Sequence, residues 1–104
     1  MLDTADEVIV FADKDLEENL VSKLRSSDIE FDAKPPVGTT LRIIAKREAK
    51  RFFEAVLEWW LDNRQRNVAV TMRMSSGEVF ELKDSIISEV REKIERLPLG
   101  IDKL

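Results

Sequence analysis

One helical stretch, residues 47–61, constrains the fold of this chain more than any other segment. It contains both tryptophans, Trp59 and Trp60, and two of the five phenylalanines, Phe52 and Phe53. Plotted at 100° per residue, its apolar side chains cover more than half of the helix circumference. A helix that packs on a single sheet needs a narrower apolar stripe. The segment therefore predicts either a helix enclosed by several elements or a helix whose aromatic surface contacts a partner.

The apolar patterns around this helix predict a small α+β domain in the order β-α-β-β-α-β-β-α. The strands are expected at residues 8–11, 29–33, 39–45, 68–74 and 78–83, and the helices at 14–25, 48–63 and from Asp84 or Ser85 to 97. The first six elements match a ferredoxin-like β-α-β-β-α-β unit with a mainly antiparallel sheet, to which a strand and a helix are added at the C-terminal end.

Three local patterns fix where these elements lie. Four consecutive apolar residues, 8–11, predict a strand that is buried on both faces and hence central. Pro35-Pro36-Val37-Gly38 predicts the turn between the second and third strands. Asp13 is expected to cap the first helix, and Glu89–Lys93 and Glu92–Arg96 are expected to form ion pairs on the last one.

A sheet of this type leaves one face open, which the third helix or a second copy of the chain would cover.

Composition limits the chemistry that this chain can perform. Its 104 residues suggest one domain, 1–104, with loose ends at 1–6 and 99–104. Cysteine and histidine are absent, which removes thiolate nucleophiles, the commonest general base and the commonest zinc ligands. The carboxylate pairs Glu17/Glu18 and Glu54/Glu58 are interpreted as solvated helix faces. We expect a protein that is not an enzyme and holds no metal or cofactor.

No apolar run approaches the roughly 20 residues of a membrane span, and the acidic start lacks the features of a signal peptide. The expected location is therefore the cytoplasm, with no membrane partner.

Charge is unevenly distributed along the chain. Residues 1–32 carry ten acids and three bases, whereas residues 33–74 carry nine bases and four acids. Four basic residues at the start of the aromatic helix are spaced by three and four, which places them on one side of it. They are Lys46, Arg47, Lys50 and Arg51, and Arg42 is expected nearby. Such a cluster is a candidate site for a nucleic acid or a nucleotide. The acidic net charge of −4 opposes this interpretation.

The segment from Pro35 to Leu82 resembles a known family. A Pro-Pro-x-Gly turn leads to an apolar strand, then to an apolar helix that ends in Trp60-Leu61-Asp62-Asn63-Arg64, and then to a V-x-V strand, a Gly turn and a last strand. The pattern resembles the effector-associated constant component domains of bacterial conflict systems. The resemblance implies a small non-enzymatic companion of an effector, thought to act as a signalling adaptor. It implies no catalytic residue. The chain departs from that family at Lys46–Arg51 and at Thr39-Thr40.

Three hypotheses about function follow. The first is a non-catalytic interaction module that binds a protein, for which a second copy of the chain is one candidate, through the open sheet face and the aromatic helix. Its expected interface residues are Phe52, Val56, Trp59 and Trp60. The second is nucleic-acid or nucleotide binding by the basic cluster. The third, by analogy of fold, is a small-molecule-binding regulatory domain.

Overall fold

A five-stranded antiparallel sheet with three helices on one side makes up the computed structural model, which describes residues 6–37 and 40–97. The elements are β1 (Glu7–Phe11), α1 (Lys14–Ser26), β2 (Phe31–Val37), β3 (Thr40–Ala45), α2 (Ala49–Asn63), β4 (Ala69–Arg73), β5 (Val79–Glu81), a short 3-10 helix (Asp84–Ile86) and α3 (Ile87–Glu95). The α+β class and the order of strands and helices are confirmed.

The strand order is β2-β3-β1-β4-β5, so β1 is central as predicted. The prediction that β1 is buried on both faces is wrong. Val8 and Val10 are fully buried against the helices, whereas Ile9 is half-buried and Phe11 is 48% exposed. The reason is that the described helices cover only the face to which Val8 and Val10 point.

The prediction of a turn at Pro35-Pro36-Val37-Gly38 is wrong for its first three residues, which belong to a strand. β2 continues through both prolines to Val37, with a shift of register between Lys34 and Val37. Proline lacks a backbone N–H, and β2 tolerates it because it is an edge strand that pairs with β3 only. Gly38 and Thr39 lie outside the described residues.

All three helices pack on the same face of the sheet. α2 lies between α1 and α3 and contacts both. The buried apolar side chains of the helices and of one sheet face form a single core, which includes Leu20 and Leu24 of α1, Val90 and Ile94 of α3 and most of α2. Since α3 joins this helix layer, it does not cover the opposite sheet face.

The helix ends agree with the predictions in part. α1 follows Asp13, although the Asp13 side chain accepts no capping hydrogen bond. The 3-10 helix delays the start of α3 to Ile87. The Glu92–Arg96 pair forms at 3.4 Å.

Two contacts to neighbouring elements differ from expectation. Lys93 pairs with Glu78 at 2.8 Å rather than with Glu89, because its Nζ reaches the start of β5. Asp6, expected to be loose, is fixed: its carbonyl accepts from the Ala45 N–H and its carboxylate accepts from the Ser75 N–H, at 2.9 and 2.8 Å. The other end residues, 1–5 and 98–104, lie outside the described part of the chain.

Candidate functional site

The aromatic helix α2 is part of the core and not an exposed surface. The four expected interface residues are Phe52, Val56, Trp59 and Trp60, and their exposed fractions are 0, 0, 1 and 5%. Trp59 Nε1 donates a 3.0 Å hydrogen bond to Asn19 Oδ1 on α1. The sheet, α1 and α3 enclose α2, which accounts for its wide apolar arc. These side chains cannot contact a partner in this conformation, so the interface prediction is wrong for them.

The basic cluster does not form one surface. Arg42 lies on β3 and pairs with Glu7, whereas the other four cations lie at the start of α2 or just before it. Arg47 is 3.9 Å from Glu30. Lys46 is exposed between β3 and α2.

The two cations in the first turn of α2 are engaged with the ends of neighbouring helices. Lys50 Nζ donates to the Glu95 carbonyl at 3.2 Å. Arg51 donates to the Ser27 carbonyl at 2.6 Å and to the Glu48 carboxylate at 3.0 Å. Since these cations bind carbonyls at the C-terminal ends of α3 and α1, they have a structural use that also accounts for their position.

The sheet face opposite the helices, called the open face below, is the candidate site. It contains outward side chains of all five strands, which strand register places in three cross-strand rows, two of five residues and one of three. One row is Lys34–Arg42–Ile9–Thr71–Glu81 and the next is Asp32–Ile44–Glu7–Arg73–Val79. Thr40, Phe11 and Ala69 form a third, shorter row.

A carboxylate at the centre of the open face organises its charges. Glu7 is only 4% exposed, although no described helix covers it. Arg42 Nε donates to one carboxylate oxygen of Glu7, and Arg73 Nη1 lies 3.3 Å from the other. The two guanidinium groups come from the strands on either side of β1, because Glu7 is in register with Ile44 of β3 and with Arg73 of β4. The arginine side chains therefore lie over Glu7 and remain half-exposed.

The open face also exposes apolar surface. Phe11 is 48% exposed and Val79 is 58% exposed. Among the large apolar side chains of the described residues, these two are the most exposed to solvent. Ile9, next to Phe11 on the same face of β1, and Ile44 of β3 are half-buried. Sequence reasoning missed Phe11 because it assigned the run 8–11 to two buried faces. The signal that was present is the spacing of two between Glu7, Ile9 and Phe11, which places a charged residue on the same face as the ring.

The carboxylates outside this face that were expected to be solvated differ in their surroundings. Glu17, expected to be solvated, is 7% exposed, and its Oε2 has no hydrogen-bond partner among the described residues. Burial, and secondly the charge of Glu18, raises the pKa of Glu17. Glu58 pairs with Lys23 at 3.6 Å. Among the described residues, no three acidic side chains converge as metal ligands.

A cleft of about 470 Å³ lies beside β2, lined by residues that include Arg25, Glu30 and Lys46. Its walls carry charges of both signs and it is open to solvent. The arrangement has no preference for one kind of ligand charge.

The helices of the described chain are too short or too polar to cross a membrane. Comparison with models of protein families, with curated proteins and with solved structures found no match. The function is therefore inferred from the geometry of the open face.

Proposed function

We propose that this protein is a non-catalytic module that binds another protein through the open face. The observation that carries the proposal is the location of Phe11 and Val79, the exposed large apolar side chains of the described chain, on the same face of the sheet. Contiguous exposed apolar surface that is framed by polar side chains marks interaction surfaces. Here Phe11 adjoins Ile9 on β1, and Val79 lies two strands away on β5. The first hypothesis from the sequence named both the open sheet face and the aromatic helix; it is kept for the sheet face alone, because the aromatic side chains of the helix are buried.

The Glu7 cluster suits a protein interface. Arginine is enriched at such interfaces because its guanidinium group packs flat and donates several hydrogen bonds. Here Arg42 and Arg73 are held by Glu7 on either side of β1. Their stems cover the sheet, and their charges are balanced in part by the carboxylate beneath them. A partner therefore meets a preorganised polar centre beside the exposed Phe11 ring.

We assign the first six elements to the ferredoxin-like arrangement. The support is that β3 lies between β1 and β2, as a split βαβ unit requires, while β4 follows α2 and pairs with the other side of β1. β5 then extends the sheet beyond β4. In this arrangement the helices occupy one face and the other face is available for binding.

Nucleic-acid binding is the weaker candidate. Arg47, Lys50 and Arg51 have protein partners, and the open face carries equal numbers of acidic and basic side chains. We expect short DNA and RNA strands to show no salt-dependent binding in fluorescence anisotropy at low ionic strength. Binding that is lost in Lys50→Glu and Arg51→Glu would favour the nucleic-acid alternative instead. A thermal-shift screen of small metabolites tests the regulatory-domain alternative.

The resemblance of residues Pro35–Leu82 to adaptor domains of bacterial conflict systems suggests one setting for such a module. We propose on that basis that its partner belongs to an effector of a defence system. A protease, TIR or nuclease effector encoded beside this chain would support the proposal, and neighbours of unrelated function would count against it.

The interaction function is tested by capture on an immobilised chain. The bait is exposed to lysate of the source cells and, separately, to purified untagged chain. We expect the double variant Phe11→Ser/Val79→Ser to lose proteins that the native bait captures. Glu54→Ser is the matched control, because Glu54 is exposed on the helix side. If the sheet variant and the native bait capture the same proteins and the same amount of chain, the proposed function is wrong.

A further inference from the structure

Resting on the proposed function, we infer that the occupant of the open face is a second copy of this chain, stacked face to face about a two-fold axis parallel to β1. The inference comes from the charge pattern of the face. Its charged side chains are Lys34, Arg42 and Arg73 against Glu7, Asp32 and Glu81, which sum to zero. The whole chain carries −4. Two copies therefore repel each other less through this face than through the rest of their surfaces. A polyanion would find no net electrostatic attraction to this face.

The charges at the two ends of one of the two five-residue rows, Lys34–Arg42–Ile9–Thr71–Glu81, are self-complementary. Register places Lys34 at the β2 edge and Glu81 at the β5 edge, with Ile9 at the centre. A two-fold axis along β1 exchanges the two edges of the sheet. It sets Lys34 against the partner's Glu81, sets Glu81 against the partner's Lys34, and brings Ile9 and Phe11 onto their own counterparts. An isologous interface of this kind satisfies both ends of the row at once.

Two apolar side chains of the face lie at the axis, whereas Val79 lies at the β5 edge, where the axis sets it opposite the partner's Asp32. Ile9 and Phe11 lie on β1 next to the axis, where a stacked sheet excludes water most completely. Lys34 and Glu81 lie at the rim. The Glu7 carboxylates also approach the axis, but each is buried under Arg42 and Arg73, which separate the two negative charges.

The size of the face sets the strength of the association. The face is about five strands wide, at a spacing of about 4.8 Å, and about five residues long, at a rise of about 3.4 Å. The product of width and length is a flat area of roughly 400 Å² per copy. A standard stable interface buries about 800 Å² per partner. We therefore expect a reversible dimer with a dissociation constant in the micromolar range, not an obligate one.

The test is sedimentation equilibrium of the full chain over low to high micromolar concentrations. We expect a monomer–dimer equilibrium that Phe11→Glu shifts to monomer. Lys34→Glu and Glu81→Lys should each raise the dissociation constant about tenfold, because the symmetry repeats each exposed pair twice. The double variant Lys34→Glu/Glu81→Lys should return to within a few-fold of the native value, since it restores both pairs with their signs exchanged.

Glu54→Lys is the matched control for Glu81→Lys, because it makes the same change of charge on the exposed helix side and should not weaken the dimer. A chain that stays monomeric at every concentration overturns the inference, as does a dimer that Phe11→Glu leaves intact. Failure of the double variant to recover overturns the two-fold arrangement. A monomeric chain that still captures a different protein through Phe11 and Val79 overturns self-association and leaves the proposed function standing.

Discussion

At the scale of single residues, the two buried glutamates of this protein differ in whether their charge is compensated. Glu7 is 4% exposed and has two arginine partners, whereas Glu17 is 7% exposed and one of its oxygens has none. A buried acceptor without a partner costs about 1–3 kcal/mol of stability. The cost at Glu17 is highest when the carboxyl group is ionised, which burial opposes by raising its pKa above the ordinary 4.5.

The first prediction concerns the pH dependence that follows from Glu17. The folded protein binds the proton of the Glu17 carboxyl group more tightly than the unfolded chain does. The contribution of Glu17 to the free energy of unfolding therefore falls as pH rises from 4.5 through the raised pKa, and it stays low above that pKa. Glu17→Met should raise the free energy of unfolding at pH 7 by about 1 kcal/mol or more, with little gain at pH 4. Urea denaturation at both pH values measures the difference.

Glu18→Met is the matched control for Glu17, since Glu18 is the exposed neighbour on the same turn. Its effect should stay within about 0.5 kcal/mol. An equal gain for the two variants, or a gain for Glu17→Met that is independent of pH, would contradict the account of Glu17 as a buried carboxylate with an unpartnered oxygen.

At the scale of elements, α1 ends in a Schellman motif that the sequence does not predict. The Ile29 N–H donates to the Leu24 carbonyl at 3.1 Å and the Asp28 N–H donates to the Arg25 carbonyl at 3.0 Å. Asp28 has φ +64°, in the left-handed region where glycine is usual. The first helix was expected to end at residue 25, but because no glycine follows it, the way in which it ends was not predictable.

The second prediction tests this helix end. Asp28→Gly should raise the free energy of unfolding by about 0.5–1 kcal/mol, because glycine has no Cβ to strain a left-handed backbone. Thermal unfolding followed by circular dichroism measures it. Ser27→Gly is the control: Ser27 has φ −91°, so glycine there relieves nothing and should lower stability. A loss of stability in Asp28→Gly would show that the Asp28 side chain contributes more than its backbone conformation costs.

At the scale of the whole molecule, one ion pair connects the last hairpin to the last helix. Lys93 on α3 lies 2.8 Å from Glu78, which directly precedes β5. The hydrogen bond from Lys93 is the main reason why the pKa of Glu78 lies below its ordinary value of 4.5, assisted by the charge of Lys93 and by the Ser76 hydroxyl. The pair attaches a three-residue edge strand to the helix layer.

The third prediction follows from the sign of that shift. Because the pKa of Glu78 is lower in the folded protein, the ionised carboxylate stabilises the fold above pH 4.5. This stabilisation is lost as pH falls through the pKa of the folded protein, which is the opposite of the pH dependence at Glu17. In an NMR titration, Lys93→Met should raise the pKa of Glu78 towards 4.5. Arg91→Met, on the same helix and exposed, is the control and should leave the titration unchanged. An unchanged titration in Lys93→Met would mean that Lys93 is not the cause.

What the sequence determined by itself is the set of elements. Periods of two and of about 3.6 place the strands and helices, and the Ser75–Gly77 turn pairs β4 with β5. The central position of β1 was predicted from burial on both faces, a reason that the structure contradicts. Gly77 has φ +101°, which the turn requires. These features are local, since each depends on residues close together in the chain.

Only the tertiary structure decided which surfaces are exposed. The wide apolar arc of α2 was equally compatible with enclosure and with an exposed aromatic patch, and packing between α1, α3 and the sheet buried Trp59 and Trp60. Phe11, in an apparently buried run, became exposed because all described helices lie on the other face. Glu7, Arg42 and Arg73 are far apart in sequence and meet only through strand register. The candidate site depends on these long-range pairings, which no local pattern encodes.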